Sequence, residues 1–326
     1  MRHAVLVTGA FGNIGRRTVH HLLNAGHRVV AVDLKTPKTE AIAASFGNAL
    51  EVVWGNICDS TLWPRVLTDI DSVVHLAAII PPLAYRNPGL ATAVNQTATI
   101  ALLQCMEASP TAKRLVFASS MVVAGHEQES RVPPLTVAEE PRPSDLYGET
   151  KAECERHITA STLRWSILRI AVCPPSEITF QDVASFDIMF ESSATGRVEV
   201  VHNDDAALAF ANAVGCDETV GKILFIGGGA SCRSTALEFF NQTLTAMGMR
   251  PLKPASLRPG PPFFFGDWLD TEESQRLLRF QRSSLDDIVS EMKDRAGFRR
   301  LLLKIVAPIV SPLLERRSPH LLQARK

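Results

Sequence analysis

Val5-Leu-Val-Thr-Gly-Ala-Phe-Gly-Asn-Ile-Gly15 joins a short apolar run to three glycines, and Arg16-Arg-Thr-Val-His-His-Leu-Leu-Asn-Ala-Gly26 follows. Ala4 to Val7 reads as a buried strand. Beyond Gly9, Gly12 and Gly15, apolar residues recur at Val19, Leu22 and Leu23, and Gly26 closes the run as a helix C′ glycine does. The pattern is strand, tight turn, helix. Glycine lets the backbone of such a turn approach a ligand, and the first turn of the helix offers unpaired N–H groups to a phosphate. Arg28 to Val32 reads as a second strand with Asp33 at its end, where a carboxylate can accept from the ribose 2′-OH of a dinucleotide. A glycine triplet alone fits other α/β turns, and the spacing here is G-x-x-G-x-x-G rather than G-x-G-x-x-G. The order strand, turn, helix, strand, acid is what selects dinucleotide binding.

Strands and helices keep alternating down the chain. A helix is expected near Glu40 to Phe46, a third strand over Leu50 to Trp54 and a helix around Ser60 to Leu67. Asp71 to Leu76 reads as a fourth strand, Ala91 to Met106 as a helix with Asn95 near its start, and Arg114 to Ala118 as a fifth strand ending in Ser119-Ser120. This alternation predicts a parallel sheet covered on both faces, with ligands at the carboxyl ends of the strands. Gly9 to Gly15, Asp33, Asn56, Ala77 and Ser120 all fall at such ends. Asn56 there offers an amide to an adenine edge, and Ala77-Ala78 leave room for a cofactor against the backbone.

After a proline-rich loop from Pro133 to Pro143 comes Ser144-Asp-Leu-Tyr-Gly-Glu-Thr-Lys151. Ser144 or Asp145 can cap a helix, which sets Tyr147 and Lys151 four apart on one face. A free phenol, with a pKa near 10, is a poor base at neutral pH, and a neighbouring ammonium is expected to lower that value. Tyr147, Lys151 and Ser120 then form a proton-transfer set beside a nicotinamide. Taken alone, Y-x-x-x-K is usually just an exposed helical face; placed after five alternating strands, with Ser-Ser on the fifth, it is specific.

With these pieces in order, the chain resembles the extended short-chain dehydrogenase/reductase family, the NAD-dependent epimerase/dehydratase group. The match rests on Thr8-Gly-Ala-Phe-Gly-Asn-Ile-Gly15, Asp33, His75-Leu-Ala-Ala78, Asn95, Ser119-Ser120, Tyr147-Gly-Glu-Thr-Lys151, Leu168-Arg169 and Val201-His-Asn-Asp-Asp205, with a weaker piece from Leu269 to Phe280. The resemblance implies a Rossmann-type doubly wound parallel sheet over residues 1–174. It implies a smaller C-terminal α/β substrate domain over 175–326, from which 203–228 return to the core. It implies NAD as cofactor and Tyr147 as acid/base. Lys151 would tune the phenol and hold the nicotinamide ribose, and Ser120 would orient the substrate. Cofactor contacts are implied at Gly9, Gly12, Asn13, Ile14, Gly15, Asp33, Asn56, Ile57, Leu76, Ala77, Ala78 and Asn95.

Departures from the family pattern bear on the substrate. Ala124 stands where a substrate-side tyrosine is common, and Ile170-Ala-Val-Cys-Pro-Pro175 replaces an Asn followed by Tyr-Gly-Pro. Glu199-Val-Val201 stands where sugar-nucleotide members carry an Arg, so a sugar-nucleotide diphosphate loses a partner. The segment from Ser176 to Val200 is also short. His75 and His202 read as structural; His126, just past the Ser120 loop, is near where substrate would lie and could touch it, but reads first as a solvated loop histidine. Asp204 and Asp205 read as helix caps, and Phe263-Phe-Phe265 as either pocket wall or packing. Arg16-Arg17 raises the question of a 2′-phosphate, which Asp33 would repel.

Thirty-four basic and 34 acidic side chains balance, which argues against a general nucleic-acid surface. Six scattered cysteines show no metal-like spacing and read as reduced thiols of a cytoplasmic protein. No signal peptide and no transmembrane run is expected. The helices 91–106 and 146–160 are expected to form a homodimer interface, as the family commonly does. The tail, residues 298–326, is apolar with basic flanks. Pro308 and Pro312 are expected to prevent one long helix, and the tail is left between a peripheral membrane contact, its own substrate domain and a partner subunit. The leading functional expectation is an NAD-dependent oxidoreductase acting on a small, fairly apolar secondary alcohol or ketone. A sugar epimerase or dehydratase using NAD as a transient hydride store, and a non-catalytic NAD-binding regulator, are the alternatives.

Overall fold

A computed structural model describes residues 3–175 and 189–323. Residues 176–188 of the short segment noted above, and Ala324, Arg325 and Lys326 of the tail, lie outside the described residues. Seven parallel strands form the sheet, in the order β3-β2-β1-β4-β5-β6-β8. They are β1 (Ala4–Thr8), β2 (Arg28–Asp33), β3 (Glu51–Trp54), β4 (Ser72–His75), β5 (Arg114–Ser120), β6 (Arg164–Ile170) and β8 (Lys222–Ile226). The chain winds outward from β1 to β2 and β3, then crosses back to β4 on the other side of β1. That reversal opens a crevice at the carboxyl ends of β1 and β4, where Thr8 pairs with His75. Val5, Leu6 and Val7 are fully buried because helices cover both faces, which is why the strands read as apolar runs rather than as alternation.

One face carries α1 (Gly15–Asn24) and α6 (Asn203–Gly215), packed around Val19, Leu22, Ala206 and Phe210. The other carries α3 (Leu62–Val66), α4 (Ala98–Ala108) and α5 (Leu146–Thr159), around Trp63, Leu102, Met106 and Ile158. After β2 comes α2 (Pro37–Ala44), whose Ile42 and Ala43 pack at the margin of the α1 face. It begins before the expected Glu40 because Thr36 and Thr39 make a reciprocal capping box with Pro37 at the first helical position. Two hydrogen-bonded hubs sit where α6 begins: the His202 ring accepts from Asp204 N, and Asp205 accepts from Arg282 N and Ser283 N. The cap of α6 is therefore His202, not the acidic pair; Asp205 instead fastens the distant Arg282-Ser283 stretch, and Asp204 pairs with His21.

The smaller lobe is a two-stranded antiparallel ribbon, β7 (Arg197–Glu199) with β9 (Arg233–Thr235), backed by α7 (Ala236–Ala246) and the first half of α9 (Leu285–Glu315). Phe190, Phe239, Phe240, Phe264, Ile288 and Met292 fill its core. Between them, α8 (Glu272–Leu278) packs beside β8 and α6. The tail corrects the sequence reading. α9 continues through Pro308 and Pro312, and its break is at Gly297, with φ 46° and ψ −131°, a conformation open to glycine. The carbonyls that the two prolines leave without N–H partners belong to Lys304 and Pro308, both exposed, so water can satisfy them.

Candidate active site

The glycine turn is shaped by what surrounds it. Gly9 has φ +63°, and a Cβ there would lie 2.8 Å from Ala77 Cα; at Gly15 it would lie 2.0 Å from Gly9 O. Gly9 and Gly15 are therefore close-packing glycines. Gly12 is different: a Cβ would meet only Gly9 O, at 3.3 Å, and the residue is exposed toward the crevice. No side chain caps the start of α1, which leaves that terminus available to an anion. Asp33 lies beside it at the end of β2, its two oxygens accepting from Phe11 N and Leu34 N, each at 2.8 Å. Of the pair Arg16-Arg17, Arg17 is engaged elsewhere, its Nε donating to Asn203; the nearby Lys35, which could also meet a 2′-phosphate, pairs with Glu40.

These residues line one cavity of about 800 Å³, large enough for a dinucleotide and a small partner. Gly9, Gly12, Asn13, Ile14, Gly15, Asp33, Asn56, Ile57, Leu76, Ala77, Ala78, Ser120, Tyr147 and Lys151 all border it. Asn13 also ties the turn down, through Pro174 O and Asn203. The Asn56 side-chain Oδ1 accepts from Cys58 N. Asn95 does not border the cavity. It is 1% exposed and sits in a π-helical turn (Thr92–Thr97) where Ile79 N donates to its Oδ1 at 2.7 Å and its Nδ2 donates to Ile79 O at 2.9 Å. It clamps the cavity wall from behind.

Ser120, Tyr147 and Lys151 are brought together by β5 and α5. Ser120 ends β5, and Asp145 caps α5 by accepting from Gly148 N at 2.7 Å. A buried bridge behind them fixes the helix to the sheet: Arg169 grips Glu155 through two bonds of 3.0 and 2.7 Å, and Ser119 Oγ donates to Glu155. Electrostatically the set differs from the expectation. Lys151 is buried, and its Nζ donates to Ala118 O at 2.7 Å, above the Phe117 ring and 5.9 Å from the centre of the Tyr147 ring. Burial lowers its pKa to about 8, against the opposing pull of Cys154 and Glu155. The Tyr147 pKa is raised, by burial first and the Asp145 charge second, with a Ser120 hydrogen bond acting the other way. Lys151 thus does not lower the phenol as expected, because its ammonium is turned to a carbonyl.

Around Tyr147 stands a second group, in which the sequence reading missed Tyr85 and the burial of His126. His126, expected in solvent, is 5% exposed, and its Nε2 lies 2.8 Å from Asp145 Oδ2. Tyr85 OH donates to the same carboxylate at 3.1 Å. Burial works against the Asp145 anion, yet His126, Gly148 N and Tyr85 together hold its pKa below the usual range. The three phenylalanines divide their roles. Phe265 borders the cavity and packs on His126, Phe264 is buried in the small lobe, and Phe263 stacks under Arg258. No local signal marks His126 or Tyr85, since their partners are 19 and 60 residues away in the chain.

The other singled-out groups are structural. His75 bridges Thr8 and Thr99 through its two ring nitrogens, at 2.7 and 3.0 Å, and burial pushes its pKa down to about 3. Glu199 is fully buried and accepts from Gly229 N, Arg233 Nε and Leu269 N, so it is a joint of the small lobe and not a cavity group. Cys173 borders the cavity, but burial raises its thiol to about 12, which leaves a neutral wall and no nucleophile. No His/Cys/Asp/Glu group suited to a metal occurs among the described residues.

The sequence model of the NAD dependent epimerase/dehydratase family matches residues 5–173, just over half of the chain. The 3 beta-hydroxysteroid dehydrogenase/Delta 5-->4-isomerase of Mycobacterium tuberculosis is 31% identical over 204 residues, 60% of this chain and 53% of that protein. UDP-glucose 4-epimerase 4 of Oryza sativa subsp. japonica is 35% identical over 190 residues, 52% of this chain and 49% of that one. The chain spans about half the length of the curated relatives it matches. Among solved structures, UDP-glucuronic acid 4-epimerase from Bacillus cereus, in complex with UDP-glucuronic acid and NAD, has a TM-score of 0.73 at 22% identity, covering 91% of this chain and 99% of that chain. UDP-glucose-4-epimerase from Stenotrophomonas maltophila, with bound NAD and formylated UDP-arabinopyranose, has a TM-score of 0.74 at 23% identity, covering 92% and 100%. These structures share the fold. The uncapped α1 terminus, the open Gly12 and the Asp33 carboxylate suit the cofactor that names the family. On the sequence match through the end of β6, this chain belongs to the NAD-dependent epimerase/dehydratase family, with NAD as its cofactor.

Proposed function

We propose that the protein is an NAD-dependent oxidoreductase acting at a secondary alcohol or ketone carbon of a fairly apolar small molecule. The observation that supports this reading is the cavity wall near Tyr147. Ile79, Ile80, Pro81, Leu90, Val94 and Phe265 form it, and no arginine borders the cavity among the described residues. A sugar-nucleotide diphosphate needs cations of its own, and the two lysines present lie at Lys38, on the Asp33 side, and at Lys151.

NAD, when bound, accepts or returns the hydride. Asp33 takes the adenosine ribose, while Gly12 and the start of α1 take the pyrophosphate. Asn56, Ile57 and Leu76 to Ala78 lie against the rest of the cofactor, and Asn95 acts through Ile79 as a positioning residue. Ser120 hydrogen-bonds the substrate oxygen, and Tyr147 Oη holds the proton that this oxygen gains or gives up. With its pKa raised, the phenol of the free protein is protonated and ready to donate, the state that ketone reduction needs. Oxidation needs a cation beside the phenolate, and Lys151, with Nζ 5.9 Å from the centre of the Tyr147 ring, is the cation at hand.

Epimerisation, for which several relatives are named, is the second reading; the family and the cavity volume allow it. Stoichiometry separates the two. The oxidoreductase releases one NADH per alcohol consumed, and Tyr147→Phe lowers turnover by roughly 10²–10⁴-fold with NAD affinity nearly unchanged. Substrate consumption without NADH accumulation would refute the redox reading. We place the protein in the cytoplasm, which its six free thiols support. We also read it as a homodimer through α4 and α5.

A further inference from the structure

Residues 298–315, the second half of α9, are apolar on two opposite sides. The inner side, with Ala307, Val310 and Leu314, packs on the small lobe. Polar contacts fasten that side: Arg300 Nε donates to Ala246 O at 3.0 Å, Arg250 N to Ser311 Oγ at 3.1 Å, and Lys253 N to Glu315 Oε1 at 3.1 Å. The helix is therefore held in one orientation, and its outer side cannot turn inward. That outer side carries Phe298, Leu301, Leu302, Ile305, Ile309 and Leu313, each 50–74% exposed. At 100° per residue they form one stripe opposite the docked side. A contiguous exposed apolar stripe of this kind marks an interaction surface.

Charge selects the occupant. From Arg295 to Arg317 the chain has six cations and one acid, Glu315, whose carboxylate is turned onto Lys253 N and Ser256 Oγ. Arg299 and Arg316 are exposed on or beside the stripe, and Lys304, whose stem lies against Gly248, is exposed at the edge of the docked side. A second copy of the helix would bring the same cations against them. An anionic lipid surface would instead complement them, with the apolar stripe at the headgroup boundary. No helix among the described residues is long and apolar enough to cross a membrane, so the contact is in-plane. We propose that this outer face of α9 docks the protein on anionic membranes.

The test is flotation of the full chain with vesicles of phosphatidylcholine, with and without phosphatidylserine. It reads no catalysis and so stands or falls apart from the oxidoreductase reading. Wild type should float only with phosphatidylserine, and less at high salt. Ile305→Glu/Ile309→Glu should reduce the floated fraction roughly tenfold, and Arg299→Gln/Arg316→Gln should do the same, because both lining types are required. All four positions are exposed, so the melting temperature should stay that of wild type. Wild type remaining at the bottom of the gradient overturns the proposal, as does an Ile305→Glu/Ile309→Glu variant that floats normally. A dimer in solution that this variant dissociates, with no flotation of wild type, assigns the face to a second copy and equally overturns it.

Discussion

Alanine at Gly15 and alanine at Gly12 should fail in opposite ways. At Gly15 the added carbon would sit 2.0 Å from Gly9 O, with further contacts of 2.9 Å on Ala10. These are backbone atoms in a turn that Ala77 already hems in, so the turn must move by more than an ångström. Overpacking of this kind costs about 2–3 kcal/mol. At roughly 2–4 °C per kcal/mol for a chain of this size, the melting temperature should fall by about 5–10 °C. At Gly12 the carbon meets only Gly9 O, at 3.3 Å, and φ lies outside the left-handed region. A shift of a few tenths of an ångström absorbs it, and the stiffer unfolded chain offsets that with about 0.4–1 kcal/mol, so the melting temperature should move by less than about 2 °C. What Gly12→Ala does is fill the floor on which the pyrophosphate rests. NAD affinity should then fall roughly 10–100-fold, or about 1.4–2.8 kcal/mol. Scanning calorimetry of the free protein and titration calorimetry with NAD read the two effects separately. Wild-type NAD affinity in Gly12→Ala would refute the placement of the phosphates. An unchanged melting temperature in Gly15→Ala would refute the turn geometry itself.

Asp33→Ala should weaken NAD roughly 10–100-fold, the worth of hydrogen bonds to a charged group; a wild-type protein that binds NADP more tightly than NAD would overturn this role for Asp33. Asp145→Asn keeps the α5 cap but removes the charge that helps raise Tyr147, so the acid limb of alcohol oxidation should move to lower pH; an unmoved pH–rate profile would break the link. Stability should also fall in acid through His75. Its folded pKa, about 3, lies below the unfolded 6.5, so the unfolded chain binds more protons between them and stability is lost as pH falls through that window. The full loss is on the order of 5 kcal/mol, and His75→Gln should flatten this limb in pH-dependent denaturation; a limb as steep as wild type would count against it. Light scattering at micromolar concentration should return a dimer mass, and a monomer mass would remove the α4/α5 interface.

The alternation of strands and helices, the glycine turn, Asp33 at the end of β2 and Tyr147 one turn from Lys151 were all legible in the sequence. Each depends on spacing within a few residues, and the backbone converts such spacing directly into a shared face or a shared strand end. The small lobe was legible only as a class, because its core is assembled from segments as distant as Phe190 and Met292. The electrostatics of the site were decided by tertiary structure. Lys151 faces the Ala118 carbonyl, 33 residues away, and so leaves the phenol raised rather than lowered. His126 is buried because Phe263 and Phe265, from the far end of the chain, close over it. Asn95 serves the wall through Ile79, and Glu199 is consumed by Arg233 and two backbone amides. Burial and partners set the charge state and the direction of these side chains, and both come from residues that meet only once the chain has folded.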